Sequence, residues 1–397
     1  MDEATLRRTG LVWHESYMWH ITGTGAGAHP AGGFMEPGLP HIDNPAARRR
    51  MRNLIEVSGL IDHLAPVRPR PATEEELLRI HTPDYIARLK RLSAEGGGEA
   101  GEKAPVGPGS WEIAQLAAGG CLVAADAIMG GTLRNAYALV RPPGHHAEPG
   151  QGRGFCLLAN AALTIAHLRA LHGLRRIALV DWDVHHGNGA QGIFYEDPEV
   201  LTISLHEEDN YPRGSGFITE RGRGLGFGAN INLPLPPGSG HGAYLAAIEH
   251  VVLPALGRFA PEMILVSSGY DACLYDPLAR QMAMMETYRL MTRALVSIAG
   301  RTCNGRLLVL HEGGYSDFYA PLCGLAVVEE LSGYRTAVQD PFVSHLDRSA
   351  QRLQPHQAEV ITAVGKLIED VPRPGSTSTR RANVRKLHVE ALRPGQA

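Results

Sequence analysis

The segment Asp181-Trp-Asp-Val-His-His-Gly-Asn-Gly189 decides how this chain is interpreted. It follows the apolar run Ile177-Ala-Leu-Val180, whose pattern predicts a buried β-strand. Two carboxylates and two imidazoles therefore stand where a strand ends, and oxygen and nitrogen ligands at this density suit a divalent metal such as zinc. A second His-His pair follows another apolar run, in Arg141-Pro-Pro-Gly-His-His146, so a merely solvated loop is a weak interpretation.

Strand-like apolar runs alternate with longer helical patterns along the chain. This alternation predicts an α/β fold with a parallel sheet and helices on both faces. The predicted strands are Ala136–Val140, Ile177–Val180, Val200–Leu205, Met263–Ser267 and Leu307–Leu310, and the predicted helices are Trp111–Met129, Asn160–His172, Ala243–Arg258, Met285–Ile298 and Leu322–Leu331.

A polar segment rich in glycine or charge follows each of these five strands. Open α/β sheets bind their ligands outside the carboxyl ends of the strands. The five segments are therefore expected at one edge of the sheet. They begin at Arg141, Asp181, His206, Ser268 and His311.

The two ends of the chain lack this alternation. Residues 1–110 are predicted to form loops and short helices, with a solvated helix face at Arg48–Arg52 and a mobile surface loop at the glycines between 96 and 109. Residues 372–397 are rich in Pro, Ser, Thr and Arg, which is typical of a flexible tail. The sequence therefore predicts one catalytic domain, residues 1–371, followed by a flexible C-terminal tail, residues 372–397.

Composition excludes several classes of protein. The 397 residues are 44% hydrophobic and carry a formal charge of −3, which gives no reason to expect a nucleic-acid partner. No uninterrupted apolar run reaches the ~18 residues of a membrane span, and the N-terminus lacks the apolar core of a signal peptide, so a cytoplasmic protein is expected. Five cysteines stand singly, which favours reduced thiols over disulfides or a thiolate zinc site.

Three side chains at the predicted edge could hold one metal ion. Asp183 and His185 lie two positions apart and project to the same side of an extended segment. Asp271, beyond the strand Met263–Ser267, could add a third ligand. Three protein ligands leave a position open for water, and zinc lowers the pKa of that water to about 7.

Proton transfer needs a base beside that water, and His145 and His146 are the candidates. Asp181 and Asn188 flank the ligands and could fix the tautomers of the two imidazoles. A carboxylate partner would keep His145 protonated, whereas an amide partner leaves His146 freer to be neutral and to act as general base. Tyr315, on a Gly-Gly turn at the same edge, could donate its hydroxyl to a developing oxyanion.

Taken together, five motifs resemble the zinc-dependent histone deacetylase superfamily and occur in its order. The similarity covers roughly residues 10–335 and is closest to the bacterial class II histone deacetylase-like amidohydrolases and acetylpolyamine amidohydrolases. Asn188 supports this subclass, because class I members usually carry Asp there. The motifs are Pro142–Ala147, Gly154-Phe155, Asp181–Gly189, Ser268–Asp271 and Glu312–Tyr315.

The resemblance implies the arginase–deacetylase fold, with an eight-stranded, mostly parallel sheet. It also implies roles for individual positions. Asp183, His185 and Asp271 match the zinc ligands, His146 the general base, His145 the charge-stabilising histidine and Tyr315 the tyrosine that polarises the carbonyl.

Further positions are implied for the substrate and for a second cation. Phe155 matches one wall of the acyl-lysine tunnel, Tyr211 the opposite wall, and the Gly154 carbonyl the acceptor for the substrate N–H. A structural potassium ion is implied at Asp181, Asp183, His185, Ser204 and Leu205, mostly through carbonyl oxygens.

The reaction expected from these motifs is removal of acetyl or related acyl groups from N-acyl-lysine-like amines, in a small molecule or a peptide. Hydrolysis of acetylpolyamines or small xenobiotic amides at the same site is the alternative. Leu278 mildly disfavours polyamines, since a polyamine-selective relative carries Glu there, although Glu207, Glu208 and Asp209 could supply that charge.

Three further expectations complete the interpretation. Arginase chemistry is discounted, because Asn188 stands where another carboxylate would help two manganese ions. A non-catalytic acyl-lysine reader ranks far below the enzyme, because every catalytic position is filled. The protein is also expected to be a homo-oligomer, dimer or tetramer, without a membrane or nucleic-acid partner.

Overall fold

The computed structural model describes residues 8–25, 36 and 38–375, and its core is one sheet of eight strands. Every neighbouring pair of strands is parallel, so the predicted parallel sheet is confirmed. In chain order the strands are Arg8–Val12 (β1), Leu64–Val67 (β2), Leu133–Ala138 (β3), Ile177–Asp181 (β4), Val200–Glu207 (β5), Asn230–Leu235 (β6), Met263–Ser268 (β7) and Leu307–His311 (β8). Their order across the sheet is β6-β5-β4-β7-β8-β3-β1-β2.

Helices connect the strands and agree closely with the predicted pattern. The predicted helix Asn160–His172 has these bounds in the structure, and Ala243–Arg258 is divided by a π-helical stretch at Ile248–Val252. The α-helices are Ala46–Val57 (α1), Glu74–Leu78 (α2), Pro83–Ala94 (α3), Ser110–Met129 (α4), Asn160–His172 (α5), Asn188–Phe194 (α6), His241–Ala247 (α7), Leu253–Phe259 (α8), Met285–Thr302 (α9), Ala320–Ser332 (α10) and Pro355–Gly365 (α11).

Both faces of the sheet are buried, and β4 shows why its sequence lacks polar alternation. Successive side chains of a strand point to opposite faces. Ala178 and Val180 pack in one core cluster with α1, α9 and α10. Ile177 and Leu179 pack in another, with α4 and α5. A strand covered on both sides must be apolar at every position, as parallel strands generally are.

The prediction of loops and short helices for residues 1–110 is wrong in part. This region supplies β1 and β2 and the twelve-residue helix α1. β2 was missed because it contains Pro66, but β2 is an edge strand, where proline costs no ladder hydrogen bond. The same applies to Pro234 in β6, at the opposite edge.

One helix of the described chain, α4, is long and apolar enough to cross a membrane by length and composition. Its most apolar 18-residue window is 61% buried inside the fold, and α4 packs against α5 and β3. A core helix passes the same test, so this finding is weak support for a membrane span.

Other expectations concern the cysteines and the tail. All five cysteines are free and buried, as predicted. Residues 376–397 of the predicted tail lie outside the described residues, and the division into one domain and a tail stays a prediction.

Candidate active site

The carboxyl ends of four adjacent strands deliver the candidate residues to one place. β4 ends at Asp181 and leads into Asp183 and His185, and its neighbour β7 leads into Asp271. β8 leads into the Glu312–Tyr315 segment, and β3, beside β8, leads into the His-His pair. The order of the strands therefore brings these polar segments together at one edge of the sheet, as predicted.

Asp183, His185 and Asp271 form a group that could hold a metal ion. Each offers one ligand atom, and these atoms all lie within 4.8 Å of one another. His185 Nδ1 is 3.0 Å from Asp183 Oδ1 and 3.1 Å from Asp271 Oδ2. All three residues are buried. The donor set, two carboxylates and an imidazole, is one that zinc accepts.

Backbone hydrogen bonds fix the two carboxylates of this group. Gly313 N donates to Asp183 Oδ2 at 2.8 Å, and Val184 N donates to Asp271 Oδ1 at 2.9 Å. Asp271 Oδ2 is buried and receives no well-aligned hydrogen bond in the described chain, although His185 Nδ1 lies close. A Cβ on Gly313 would come within 2.1 Å of that oxygen, so only glycine fits here. An orphaned buried carboxylate oxygen in such a cradle fits a metal ligand.

The charges of the three residues also favour a bound metal ion. Burial alone would lower the pKa of His185, but Asp271 and Asp183 outweigh it and hold that pKa well above its ordinary value. Burial, and then the Asp183 carboxylate, raise the pKa of Asp271. Two buried carboxylates beside one imidazole therefore carry excess negative charge, which a divalent cation would balance.

The second His-His pair stands over this group, and each ring has a different partner. His145 Nδ1 lies 3.0 Å from Asp181 Oδ2, and His146 Nδ1 lies 2.7 Å from Asn188 Oδ1. The Asn188 amide nitrogen donates to the His146 carbonyl oxygen and to the Glu148 carboxylate. This fixes the amide orientation, so Asn188 Oδ1 must accept from His146 Nδ1–H, which leaves Nε2 with a free lone pair.

The different partners separate the pKa values of the two histidines. Burial alone would lower the pKa of His145, but the carboxylates of Asp183 and Asp181 outweigh it and raise that pKa to about 10. Burial, together with the charges of His145 and His185, holds the pKa of His146 well below its ordinary value. The two shifts therefore favour a charged His145 and a neutral His146, which are the forms that the roles predicted from the sequence require.

A cavity of about 430 Å³ opens from these residues to the surface. The residues that line it include His146, His185 and Tyr315, together with Phe155 and Tyr211. The Tyr211 ring stands edge-on to His146, 5.0 Å between centroids, and Phe155 stands edge-on to Tyr315 at 5.8 Å.

Gly154 and a backbone hydrogen bond of Tyr315 shape this cavity. Gly154 has a φ of +48°, and a Cβ there would lie 2.4 Å from the His146 ring and 2.8 Å from Tyr211. Tyr315 N donates to Asp276 Oδ2 at 2.7 Å, which fixes the turn that carries the tyrosine. Burial raises the pKa of Tyr315 well above its ordinary value, so its hydroxyl stays protonated.

The remaining predicted residues are also close by. Leu278 lines the cavity. The register of β4 and β5 sets Asp181 beside Ser204, with Leu205 next in the strand. His186, which has no predicted role, hydrogen-bonds Ser215 and Gln191 and so supports the loop.

Sequence reasoning missed a buried charge network beneath the site. Arg48 Nη1 donates to Asp43 Oδ1 at 2.9 Å, Arg141 lies 3.2 Å from Asp43 Oδ2, and Arg48 Nη2 donates to the Glu312 carbonyl. Glu312 in turn accepts from the backbone N–H groups of Gly144 and His145. The solvated helix face predicted at Arg48–Arg52 is therefore wrong for Arg48, which is fully buried.

Replacement of Asp43 by asparagine is expected to lower the free energy of unfolding by about 3–5 kcal/mol, because it leaves Arg48 and Arg141 buried without a counter-charge. Burial alone would raise the pKa of Asp43, but Arg141 and Arg48 outweigh it and lower that pKa from 3.8 to about 2. The pKa is lower in the folded state, so this contribution is present above about pH 4 and is lost as pH falls toward 2.

Denaturant unfolding of the Asp43→Asn variant and the wild type at several pH values checks this. The stability difference between them should narrow below pH 4. Glu15→Gln is the control, because Glu15 pairs with Arg49 at the surface, where an ion pair contributes less than about 1 kcal/mol. A loss in Asp43→Asn no larger than in Glu15→Gln would contradict the role of the network.

The parallel eight-stranded sheet, with the candidate residues at its carboxyl edge, is the architecture predicted for the arginase–deacetylase fold. The histone deacetylase domain family matches residues 41–331 of the chain. The chain therefore belongs to the histone deacetylase family.

Individual relatives agree with this assignment. The chain is 48% identical over 337 residues to a histone deacetylase-like amidohydrolase of Pseudomonas aeruginosa, with 84% of this chain and 89% of the relative covered. It is 35% identical over 338 residues to a probable deacetylase of Archaeoglobus fulgidus, with 84% and 89% covered. It is 37% identical over 287 residues to human polyamine deacetylase HDAC10, with 69% and 42% covered.

A solved structure supports the fold. The crystal structure of the HDA15 HD domain superposes with a TM-score of 0.80 at 30% sequence identity, covering 96% of this chain and 99% of that one. The predicted arginase–deacetylase fold is confirmed, and the chain is an enzyme of the deacetylase and amidohydrolase class.

Proposed function

We propose that this enzyme hydrolyses N-acyl amines, acyl-lysine side chains among them, at a zinc ion held by Asp183, His185 and Asp271. The observation that carries the proposal is the buried Asp271 Oδ2, which has no well-aligned donor and faces the other two ligands. Zinc in this position would polarise the acyl carbonyl and lower the pKa of a water to about 7. The protein supplies proton transfer and orientation.

His146 is the general base of this proposal. Its Nδ1–H is committed to Asn188 Oδ1, so Nε2, on the cavity side of the ring, takes the proton from the attacking water and returns it to the leaving amine. The adjacent imidazolium of His145, held by Asp181, stabilises the negative charge that develops during attack. The two rings are 3.8 Å apart between centroids, close enough for their charges to interact directly.

Tyr315 and Gly154 position the acyl group. The protonated Tyr315 hydroxyl lines the cavity and donates to the carbonyl oxygen as charge develops on it. The Gly154 carbonyl accepts the substrate N–H. Phe155 and Tyr211 form aromatic walls around an extended alkyl chain, which is the shape of a lysine side chain.

The charges at the mouth of the cavity separate the candidate substrates. Arg153 is paired there with Glu102 at 2.7 Å and Glu148 at 2.9 Å, so this cluster has one negative charge in excess. Lys103 and Arg213 also line the mouth and have no carboxylate within 4.0 Å in the described chain. These two cations outnumber the one excess carboxylate, and together with the apolar Leu278 they disfavour a substrate with a distal ammonium group, as in an acetylpolyamine. The polyamine activity named for the HDAC10 relative is therefore the second candidate.

Turnover of the zinc-loaded protein on a matched panel tests the proposal. The panel contains an acetyl-lysine peptide, trifluoroacetyl-lysine, acetylputrescine and a simple N-methyl amide. We expect the lysine substrates to be hydrolysed faster than acetylputrescine. Turnover of none of them by protein with a full zinc content would contradict the proposed function, and faster turnover of acetylputrescine would favour the second candidate.

Replacement of Lys103 by glutamate is expected to raise kcat/KM for acetylputrescine about tenfold relative to neutral N-acetylbutylamine. The change replaces the repulsion between Lys103 and the distal ammonium group of acetylputrescine by an attraction. Each exposed charge interaction contributes up to about 1 kcal/mol. This gain in kcat/KM for acetylputrescine relative to N-acetylbutylamine should be smaller in 0.5 M salt, because salt screens interactions between exposed charges. Lys366→Glu, an exposed change of the same net charge on another part of the chain, is the control. An equal effect on both substrates would exclude a local charge effect.

Three accompanying features also belong to the proposal. A potassium ion would be held near the zinc by Asp181, Asp183, His185, Ser204 and Leu205, and the adjacency of Asp181 and Ser204 supports this. We further propose a cytoplasmic protein that assembles as a homo-oligomer without nucleic-acid or membrane partners. Light scattering of the purified protein measures its assembly state.

A further inference from the structure

A second group of potential metal ligands lies away from the active site. Asp126 belongs to α4, and His167 and His172 belong to α5. All three lie toward the carboxyl ends of these helices, which precede β3 and β4 respectively. The group is therefore at the amino edge of the sheet, opposite the catalytic residues.

The two imidazoles converge on a single oxygen atom. His167 Nε2 and His172 Nε2 each lie 2.7 Å from Asp126 Oδ1, and the three ligand atoms lie within 4.8 Å of one another. The His167 side chain is 1% exposed, His172 25% and Asp126 40%. The site is thus anchored in the interior on one side and open to an ion from solvent on the other.

From this geometry we infer that Asp126, His167 and His172 form a second site for a divalent transition metal, of the zinc, copper or nickel type. Ions of this type bind imidazole nitrogens well, whereas calcium and magnesium prefer oxygen ligands. Two imidazole nitrogens and one carboxylate oxygen therefore suit a transition metal better than calcium or magnesium. In a tetrahedral zinc site the ligand atoms would lie about 3.3 Å apart. A small opening of the present 2.7 Å contacts would admit the ion.

The surroundings of His167 provide an outer shell. A metal-bound Nε2 requires the ring proton on Nδ1, where a carboxylate usually accepts it. Glu76 Oε1 lies 3.6 Å from Nδ1, and Arg70 orients that carboxylate with two hydrogen bonds of 2.6 and 2.7 Å. Without metal, Arg79 is the nearer group, 3.4 Å from Nδ1, and can only donate to it. Metal binding would thus replace the Arg79 contact by the Glu76 contact.

An ion at this site would tie α4 to α5 and stabilise the fold. At a free zinc concentration about 100 times the Kd, the midpoint of thermal unfolding should rise by about 3 °C. The inference does not depend on the proposed function, because it concerns different residues at the opposite edge of the sheet.

Zinc stoichiometry of the full chain and its variants tests the inference. We expect two zinc ions per chain in the wild type, one in His172→Gln, one in Asp271→Asn and none in the double variant. Cu²⁺ bound to Asp271→Asn should show coupling to two imidazole nitrogens in its EPR spectrum, and this signal should be lost in the double variant. His172→Gln should keep its turnover, because its catalytic residues are untouched.

His250→Gln, which removes an exposed histidine outside the group, is the control and should keep both ions. An equal zinc content in Asp271→Asn and in Asp271→Asn/His172→Gln, or a Cu²⁺ spectrum without imidazole coupling in Asp271→Asn, would overturn the assignment. Circular dichroism of each variant shows whether it is folded, so loss of the ion is not confused with unfolding.

Discussion

The Asp271→Asn variant is expected to lose its catalytic metal ion and its amide hydrolase activity together. Asparagine keeps the size of the side chain and the oxygen that accepts from Val184 N, so the loop should stay in place. The buried Oδ2, which faces Asp183 and His185, becomes an amide NH₂ that cannot bind a cation. Replacing groups that only support a ligand already costs 10–100-fold, so loss of a ligand should lower kcat/KM by more than about 10³-fold.

Metal analysis and turnover on an acetyl-lysine peptide measure the two effects in one preparation. Asp209→Asn is the matched control, because Asp209 is an exposed carboxylate near the cavity and contacts none of the proposed ligands. It should keep both properties. An Asp271→Asn protein with full activity and no zinc would refute the proposed metal centre.

The Tyr315→Phe variant should lower kcat about 10²–10³-fold with little change in KM, the usual cost of removing one oxyanion donor. The ring contact with Phe155 and the backbone bond to Asp276 survive this change, so the cavity should keep its shape. Only the hydroxyl that meets the developing negative charge is lost.

Steady-state kinetics on an acetyl-lysine peptide check this prediction. Tyr334→Phe is the control, because that hydroxyl is at the surface, where the ring stacks on His63. Unchanged kcat in Tyr315→Phe, or an equal loss in both variants, would exclude Tyr315 as the group that polarises the carbonyl.

The central strands and the candidate ligands could be predicted from sequence because both depend on local patterns. A strand buried on both faces is apolar throughout, as in Ile177–Val180, and the polar residues that follow it must lie at the carboxyl edge. The edge strands β2 and β6 have no such pattern. Each contains a proline that only an edge position tolerates, and the sequence does not show which strands are edges.

The groups that support the site could not be predicted, because their contacts join distant parts of the chain. Arg48 lies in a run of arginines that resembles a solvated surface, and its bond to the Glu312 carbonyl spans 264 residues. Lys103 lies in a glycine-rich segment predicted to be a mobile loop. Short strand pairings hold that segment at the cavity mouth instead. Only the fold assigns such residues to the site.

The position of β8 has a consequence for synthesis of the protein on the ribosome. β8 is the last sheet strand in the described part of the chain, yet it inserts between β7 and β3 and joins two groups of strands that are otherwise unconnected. At translation rates of about 5–20 residues per second, Gly313, whose N–H binds the Asp183 carboxylate, is synthesised on the order of ten seconds after Asp183. A nascent chain that stops before Leu307 would leave β7, the strand that leads into Asp271, as an open and unpaired edge, which a chaperone or a protease could bind.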